Sequence, residues 1–249
     1  MGNPQYHNHM ESLTEKGNYA DRTTGALPRI LPFAVFIAFI GVEELVRTLM
    51  AKGVISLSPE QLLYLYPLKA IVTLATLFYF RNAYTELIPR DLGNLKILCQ
   101  SIGMGIVVFV LWINMDWLLP FQNPAEGFDP TRIPEGITRY GIIAMRLAGA
   151  AIVVPIMEEL FWRSFLIRYL INEDFSSIQI GFFTFKSCLI TIVLFGLEHQ
   201  FIIAGIMAGI LYNLLLYRTR SIAACIASHA LTNLLLGLYV LKTGAWRFW

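Results

Sequence analysis

Long runs of apolar residues, separated by short polar stretches, occupy most of the chain after residue 26. A helix needs roughly 20 predominantly apolar residues to cross the hydrocarbon core of a bilayer. The pattern predicts seven such helices, near residues 30–50, 62–80, 97–119, 140–170, 180–198, 201–217 and 221–241. We therefore expect an all-α fold, in which residues 27–249 form one polytopic membrane domain of about seven or eight transmembrane helices.

The composition favours the same class of protein. Hydrophobic residues make up 56% of the 249 residues and charged residues only 14%, whereas about a quarter of an ordinary soluble domain is charged. The net charge of +2 is small and scattered along the chain, so nucleic-acid binding is not expected. The 3 cysteines are an odd number and lie in apolar runs, which predicts buried thiols and no disulfide framework.

The distribution of charge in the loops predicts an orientation. Residues 1–26 form a polar tail without the apolar segment of a cleavable signal peptide, so the first helix is expected to direct insertion. Basic residues concentrate in the loop 81–96, and acidic residues predominate in the loop 120–136. The positive-inside rule then places the N-terminus in the cytoplasm. We expect a multi-pass protein of the bacterial inner membrane whose partner is the lipid bilayer; its oligomeric state is not predicted.

One apolar run, VVPIMEELFWRSF at 153–165, contains three charged residues. Charged residues inside a membrane helix are costly and commonly mark a functional site. Glu159 and Arg163 lie four residues apart on one helical face, which predicts an ion pair. Glu158 points about 100° away and lacks such a partner, so it is free to take and return a proton. A structural ion pair beside an interfacial glutamate is the alternative interpretation of this stretch.

Two further apolar runs contain histidine. In LFGLEHQF, His199 follows Phe195 by four residues, and in IASHALTNLLL, His229 and Asn233 lie four apart on one helical face. Each stretch alone is typical of helix packing. Polar residues in membrane helices face the bundle interior or a water-filled cavity, so we expect all three stretches to form one shared site. Glu198, beside His199, is interpreted as an interfacial charge.

Other charges near the predicted helix ends have simpler explanations. The stretch GVEELVR at 41–47 looks similar to the central run, but it ends the first helix, where an interfacial ion pair accounts for it. Lys69 and Arg146 are expected either to extend towards the interface or to pair inside the bundle.

The three polar stretches, in this order, resemble the motifs EExxxR, FxxxH and HxxxN of an intramembrane protease family, called CPBP or Abi. That family includes the type II CAAX prenyl proteases and bacteriocin-processing enzymes. The resemblance covers residues 140–241, which would form the protease-like core. The chain also looks similar to the CAAX-protease-related proteins that accompany bacterial exosortase systems. The resemblance implies an endopeptidase acting on a membrane-associated peptide or protein, of either the prenylated or the signal or sorting type.

The resemblance also implies a role for each motif residue. Glu158 and His199 would activate a water molecule for attack on a peptide carbonyl. His229 and Asn233 would stabilise the oxyanion or help to hold a metal. The catalytic set is completed by the pair that would orient this machinery or contact the end of the substrate, Glu159 and Arg163.

Two mechanisms stay open at this stage. Two histidines and one carboxylate form a familiar catalytic zinc set, here Glu158, His199 and His229. The HExxH helix of soluble zinc proteases is absent from the sequence. If Glu158 is instead the base, the metal keeps only the two histidines and Asn233.

The predicted helix directions conflict at His199. Glu158 and His229 fall in the cytoplasmic half of the bundle, whereas His199, at the end of 180–198, falls near the outer side. At a rise of ~1.5 Å per residue these depths cannot meet unless the region 180–217 is shifted, broken or re-entrant.

A second class of function uses the same residues. Intramembrane Glu, His and Arg also form proton relays, so an ion-coupled transporter or an immunity-type scaffold without catalysis is the alternative. The small size of the chain and the lack of an inverted repeat argue against a transporter.

Overall fold

The structure, a computed structural model, describes residues 25–117, 119, 121–122 and 127–249. Nearly all of the polar tail predicted at 1–26 lies outside these residues. Across the described ranges every regular element is helical, which confirms the all-α prediction. The α-helices are α1 Leu27–Ala51, α2 Pro59–Leu62, α3 Leu65–Tyr79, α4 Leu95–Trp112, α5 Ile137–Ala148, α6 Val154–Glu159, α7 Ile167–Tyr169, α8 Phe185–Leu197, α9 Ile202–Thr219 and α10 Ile222–Thr243. Short 3-10 helices lie at Arg81–Ala83, Pro89–Gly93, Pro130–Arg132, Phe175–Ser177 and Trp246–Phe248.

Five helical segments of the described chain are long and apolar enough to cross a membrane. They are Pro59–Tyr79, Leu95–Trp112, Ile137–Tyr169, Ile202–Thr219 and Ile222–Thr243. The protein is therefore a multi-pass helical membrane protein. The other two predicted helices exist, but α1 carries four charged side chains and α8 has only 13 residues. The predicted span 180–198 is thus shorter than expected.

Local sequence explains where the last three helices begin and end. Thr184 accepts a hydrogen bond from the Ser187 backbone N–H at the start of α8, and Ser221 caps α10 in the same way. Both hydroxyls satisfy N–H groups that a helix leaves without partners in its first turn. Arg220 ends α9 and Gly244 ends α10 in the left-handed conformation, which stops a helix sharply.

Helices α8 and α9 form an antiparallel hairpin whose turn lies at residues 198–201. At ~1.5 Å per residue, α8 is about 20 Å long, well short of the ~30 Å hydrocarbon core. At the other end of the hairpin, the chain before α8 passes close to the end of α9 at Gly181. Only glycine fits there, because a Cβ would lie 2.9 Å from the Leu216 carbonyl oxygen and the φ of Gly181 is +74°. The short first arm puts His199 inside the bundle, which removes the conflict over its depth.

A buried polar network ties α1 to the centre of the bundle. Arg29 forms an ion pair with Glu86 at 2.6 Å, and Ser164 donates a hydrogen bond to the same carboxylate. Glu86 lies in the connection between α3 and α4, outside the candidate spans. Burial raises the pKa of the Glu86 carboxyl, but the hydrogen bonds and charge of Arg29, with the Ser164 bond, hold it below the ordinary 4.5.

This network predicts a stability that depends on pH. Because the folded pKa of Glu86 is depressed, its contribution is present above the unfolded pKa and is lost as the pH falls through the folded value. We expect the difference in melting temperature between the wild type and Glu86→Gln to narrow as the pH falls below 4.5. Thermal denaturation in detergent across that range measures it. A constant difference would show that the pair does not titrate with unfolding.

Candidate active site

The two adjacent glutamates lie in the middle of one long helix that contains two wider, π-helical turns. The first turn covers Gly149–Val153 and the second covers Leu160–Leu166, so that α5, α6 and α7 are continuous over Ile137–Tyr169. Pro155 follows the first turn and has no N–H to donate to the preceding turn, which accounts for the local change of geometry. Single π turns within α-helices are frequent at functional sites.

Glu159 and Arg163 form the ion pair that their spacing predicts. Arg163 Nη1 lies 3.0 Å from Glu159 Oε1, and both side chains are almost fully buried. Arg163 Nε also donates to Asn213 Oδ1 at 3.3 Å, and the guanidinium stacks over the Phe195 ring at 4.3 Å. Both charges are therefore held in place by several contacts.

His229 is oriented by the same carboxylate. Its Nδ1 lies 2.9 Å from Glu159 Oε1, and because a carboxylate only accepts, Nδ1 is the donor. Its Nε2 then faces Glu158, 4.0 Å from Oε2. The Tyr212 ring stacks on the imidazole with a centroid distance of 5.0 Å. Arg163 thus orients Glu159, and Glu159 orients His229.

The hairpin turn positions His199. Its Nδ1 lies 2.7 Å from the Phe195 carbonyl oxygen, which can only accept, so Nδ1 carries the proton. In the neutral ring Nε2 is then an acceptor. The rings of Trp112 and Phe195 hold the imidazole, at centroid distances of 5.3 and 4.7 Å.

The π turn before Pro155 positions Asn233. Val154 N–H bonds to the Gly149 carbonyl, and Pro155 has no N–H, so neither residue can serve the carbonyl of Ala150. Asn233 Nδ2 donates to that carbonyl at 2.9 Å. One N–H of the amide is used in this bond, and the other is left for a ligand.

Four of the predicted residues line one cavity of about 200 Å³: Glu158, His199, His229 and Asn233. Glu158 is only 4% exposed, and its Oε2 has no hydrogen-bond partner within the described residues. Glu159 and Arg163 do not line the cavity and are only 0% and 1% exposed. Such burial fits the implied role of orienting the other site residues, and it does not fit the implied contact with the end of the substrate.

Glu198 lies beside the site although the sequence suggested an interfacial charge. Trp162 Nε1 donates to Glu198 Oε2 at 2.9 Å, and the carboxyl groups of Glu198 and Glu158 lie close enough to interact. The residue was missed because adjacent helical residues diverge, whereas α8 has already ended at Leu197.

Glu158, His199 and His229, the candidate zinc ligands of one of the two open mechanisms, do not form a metal site in this arrangement. Wherever the structure describes side chains, no group of three or more His, Cys, Asp or Glu is placed to hold a metal ion. A zinc site needs two imidazole nitrogens and a carboxylate oxygen at about 2.0–2.2 Å from one point. The donor set of Glu158, His199 and His229 therefore does not fit zinc as it stands.

The helical bundle defines a multi-pass membrane protein, and the cavity among its helices is the candidate site. A family model described as type II CAAX prenyl endopeptidase Rce1-like matches residues 141–235. That segment contains all six predicted site residues, and the resemblance to this protease family is confirmed over it. No curated protein matches the chain, and no solved structure does.

Proposed function

We propose that the protein is an intramembrane endopeptidase in which Glu158 is the general base for water attack on a peptide bond. One observation carries this proposal: the unpartnered Glu158 Oε2 lines a cavity that it shares with His199 and His229. Each imidazole is fixed through its Nδ1. A base held beside two oriented imidazoles is an arrangement suited to proton transfer.

The first step of the reaction is the activation of water. Glu158 accepts a proton from a water molecule, and His199 Nε2 accepts a hydrogen bond from its other O–H group. The water oxygen then forms a bond to the carbonyl carbon of the substrate.

The second step is collapse of the tetrahedral intermediate. The carbonyl oxygen becomes an oxyanion, which the free N–H of Asn233 stabilises by a hydrogen bond; Nε2 of His229 donates a second one when that ring carries a proton on both nitrogens. Glu158 returns its proton to the leaving amine nitrogen as the C–N bond breaks. Glu159 and Arg163 act as positioning residues, because they fix His229 without contacting the substrate.

The substrate is a peptide or protein held in or at the membrane. The name of the matching family supports a prenylated CAAX-type peptide, and a signal or sorting peptide is the other substrate type that we propose to test. The N-terminus is cytoplasmic in this proposal, and the protein resides in the bacterial inner membrane, following the basic loop between α3 and α4.

The proposal is tested with purified protein in liposomes and a fluorogenic prenylated CAAX peptide. We expect cleavage that survives treatment with a strong chelator, because the donor set does not form a zinc site. Metal content is measured in parallel by mass spectrometry, in the wild type, His199→Ala and His229→Ala.

Near-stoichiometric zinc in the wild type that is lost in both variants would overturn the metal-free mechanism. Metal-free protein that still cleaves supports Glu158 as the base. If neither the prenylated peptide nor a panel of signal and sorting peptides is cleaved, the non-catalytic alternative is favoured.

A further inference from the structure

A buried hydrogen-bond chain connects the hairpin of α8 and α9 to the charged pair of the candidate active site. Asn213 lies in α9, and its Oδ1 accepts a hydrogen bond from Arg163 Nε at 3.3 Å. Its Nδ2 donates to Thr191 Oγ1, in α8, at 3.1 Å. Asn213 and Thr191 are each only 2% exposed, and neither lines the cavity that contains Glu158. Neither residue belongs to the three polar motifs.

The neighbours of Asn213 fix the orientation of its amide. A guanidinium only donates hydrogen bonds, so the amide oxygen must face Arg163. The Thr191 hydroxyl donates within α8, to the backbone carbonyls of Ser187 at 2.8 Å and Cys188 at 3.0 Å. Its proton is used there, which leaves a lone pair of the oxygen to accept from Asn213 Nδ2. A rotated amide would place its N–H groups against those of the guanidinium.

Asn213 adds the contact that fixes the plane of the Arg163 guanidinium. Arg163 otherwise has its bond to Glu159 at 3.0 Å and the Phe195 ring at 4.3 Å. A ring face attracts a cation without directing its N–H groups, and a single hydrogen bond allows rotation about that bond. Bonds through two different nitrogens, Nη1 to Glu159 and Nε to Asn213, hold the planar group in one orientation.

The orientation of the guanidinium reaches the cavity through one carboxylate oxygen. Glu159 Oε1 accepts both from Arg163 Nη1 at 3.0 Å and from His229 Nδ1 at 2.9 Å. Because the two bonds share one oxygen, a rotation of the guanidinium displaces the acceptor that orients the imidazole. His229 lines the cavity together with Glu158. A change at Asn213 is therefore transmitted to His229 through two buried side chains.

We propose that Asn213, held by Thr191, is a positioning residue for the peptidase reaction. It acts through Arg163 and Glu159, which keep the His229 imidazole in the orientation that the reaction needs. This proposal rests on the proposed function. Since Asn213 does not line the cavity, its effect falls on the chemical step and not on the binding of the peptide.

The test replaces each polar side chain by an apolar one of similar shape. Asn213→Leu removes the acceptor of Arg163 Nε, and Thr191→Val removes the acceptor of the Asn213 amide. With the fluorogenic peptide in liposomes, we expect kcat to fall by about 10- to 100-fold in Asn213→Leu, the usual effect of a displaced catalytic group. Thr191→Val should have a smaller effect of the same kind. KM should keep its wild-type value in both variants.

The chain contains a rescue variant and a matched control. Thr191→Ser keeps the hydroxyl, so it should recover most of the kcat that Thr191→Val loses. Thr76 also donates to the backbone carbonyls three and four residues before it, at 2.8 and 2.9 Å, and bonds to no other helix of the described chain. Thr76→Val therefore loses the same local bonds as Thr191→Val, and it should cleave at the wild-type rate.

Nitrogen-15 NMR of histidine-labelled protein in nanodiscs measures the orientation of His229 without a substrate. In the wild type the proton should lie on Nδ1, because Glu159 accepts from that nitrogen. In Asn213→Leu and Thr191→Val the signal should shift towards a mixture with the form protonated on Nε2. Thr76→Val should keep the wild-type signal, and loss of the signal in His229→Ala assigns it.

Each outcome separates the hydrogen-bond chain from the reaction itself. Wild-type kcat and wild-type histidine signals in folded Asn213→Leu and Thr191→Val overturn the positioning role and leave the peptidase intact. Equal losses of kcat in Thr191→Val and Thr76→Val also overturn it, because local helix bonds would then account for both. If Asn213→Leu does not fold, recovery of kcat in Thr191→Ser supports the proposal, and equal activity of the serine and valine variants contradicts it.

A wild type that cleaves no peptide overturns the proposed function. The histidine signals then decide the hydrogen-bond chain alone: a shift in Asn213→Leu and Thr191→Val supports it, and unchanged signals overturn it.

Discussion

Replacement of Glu158 by glutamine is expected to reduce peptide cleavage by about 10²- to 10⁴-fold, the usual contribution of a positioned general base. Glutamine has nearly the volume of glutamate but cannot accept a proton from water. The side chain lines the same cavity as His199 and His229, and no other described carboxylate lines that space. The rate constant kcat with the fluorogenic peptide in liposomes measures the effect.

The matched control is Glu44→Gln, because Glu44 is exposed near the end of α1 and does not line the cavity that contains Glu158. It should cleave at the wild-type rate. Glu158→Gln should also keep the wild-type melting temperature, since Glu158 Oε2 has no partner to lose. A folded Glu158→Gln protein that retains more than about a tenth of the wild-type kcat would remove Glu158 from the role of base.

Replacement of Glu159 by alanine is expected to lower the free energy of unfolding by about 3–5 kcal/mol, the usual result when one member of a buried ion pair is removed. Arg163 is 1% exposed and would keep only its bond to Asn213. His229 would lose the acceptor of its Nδ1 proton as well. Unfolding by denaturant in detergent micelles gives the difference.

The chain contains a control with the same spacing. Glu43 and Arg47 also form an ion pair four residues apart, at 2.8 Å, but their side chains are 28% and 35% exposed. Glu43→Ala should cost no more than about 1 kcal/mol, as is usual for a solvated pair. Equal losses in the two variants would contradict the argument that burial gives the inner pair its effect.

Glu159→Ala should also reduce the activity of the protein that remains folded, because His229 is no longer oriented. Glu159→Gln keeps an acceptor for His229 and should recover part of this loss. Recovery by glutamine distinguishes a positioning role from a general loss of stability.

The helices could be predicted from the sequence because each depends on neighbours along the chain. Apolar runs gave seven helical segments near their observed places, and a spacing of four residues was enough to predict the pair of Glu159 and Arg163. The three polar motifs also indicated one shared site, and four of their residues do line one cavity. Helical periodicity fixes such relations before any tertiary packing forms.

The length of α8 could not be predicted in this way. The apolar run extends over 180–198, but Gly181 closes the hairpin and Thr184 caps the helix, so that α8 begins only at Phe185. Only the packing of α8 against α9 shows that the chain turns inside the bundle at His199. The depth of His199, and with it the site, depends on this turn.

The sequence by itself determined the class of fold, the helix positions and the residues with the chemistry of a protease. The tertiary structure decided how those residues meet: Glu159 orients His229, Glu158 lines one cavity with His199 and His229, and Glu198 accepts a hydrogen bond from Trp162. The physical reason is that contacts between distant segments depend on helix lengths, turns and packing angles. These are properties of the whole bundle, whereas hydrophobic periodicity and motif spacing are properties of each helix alone.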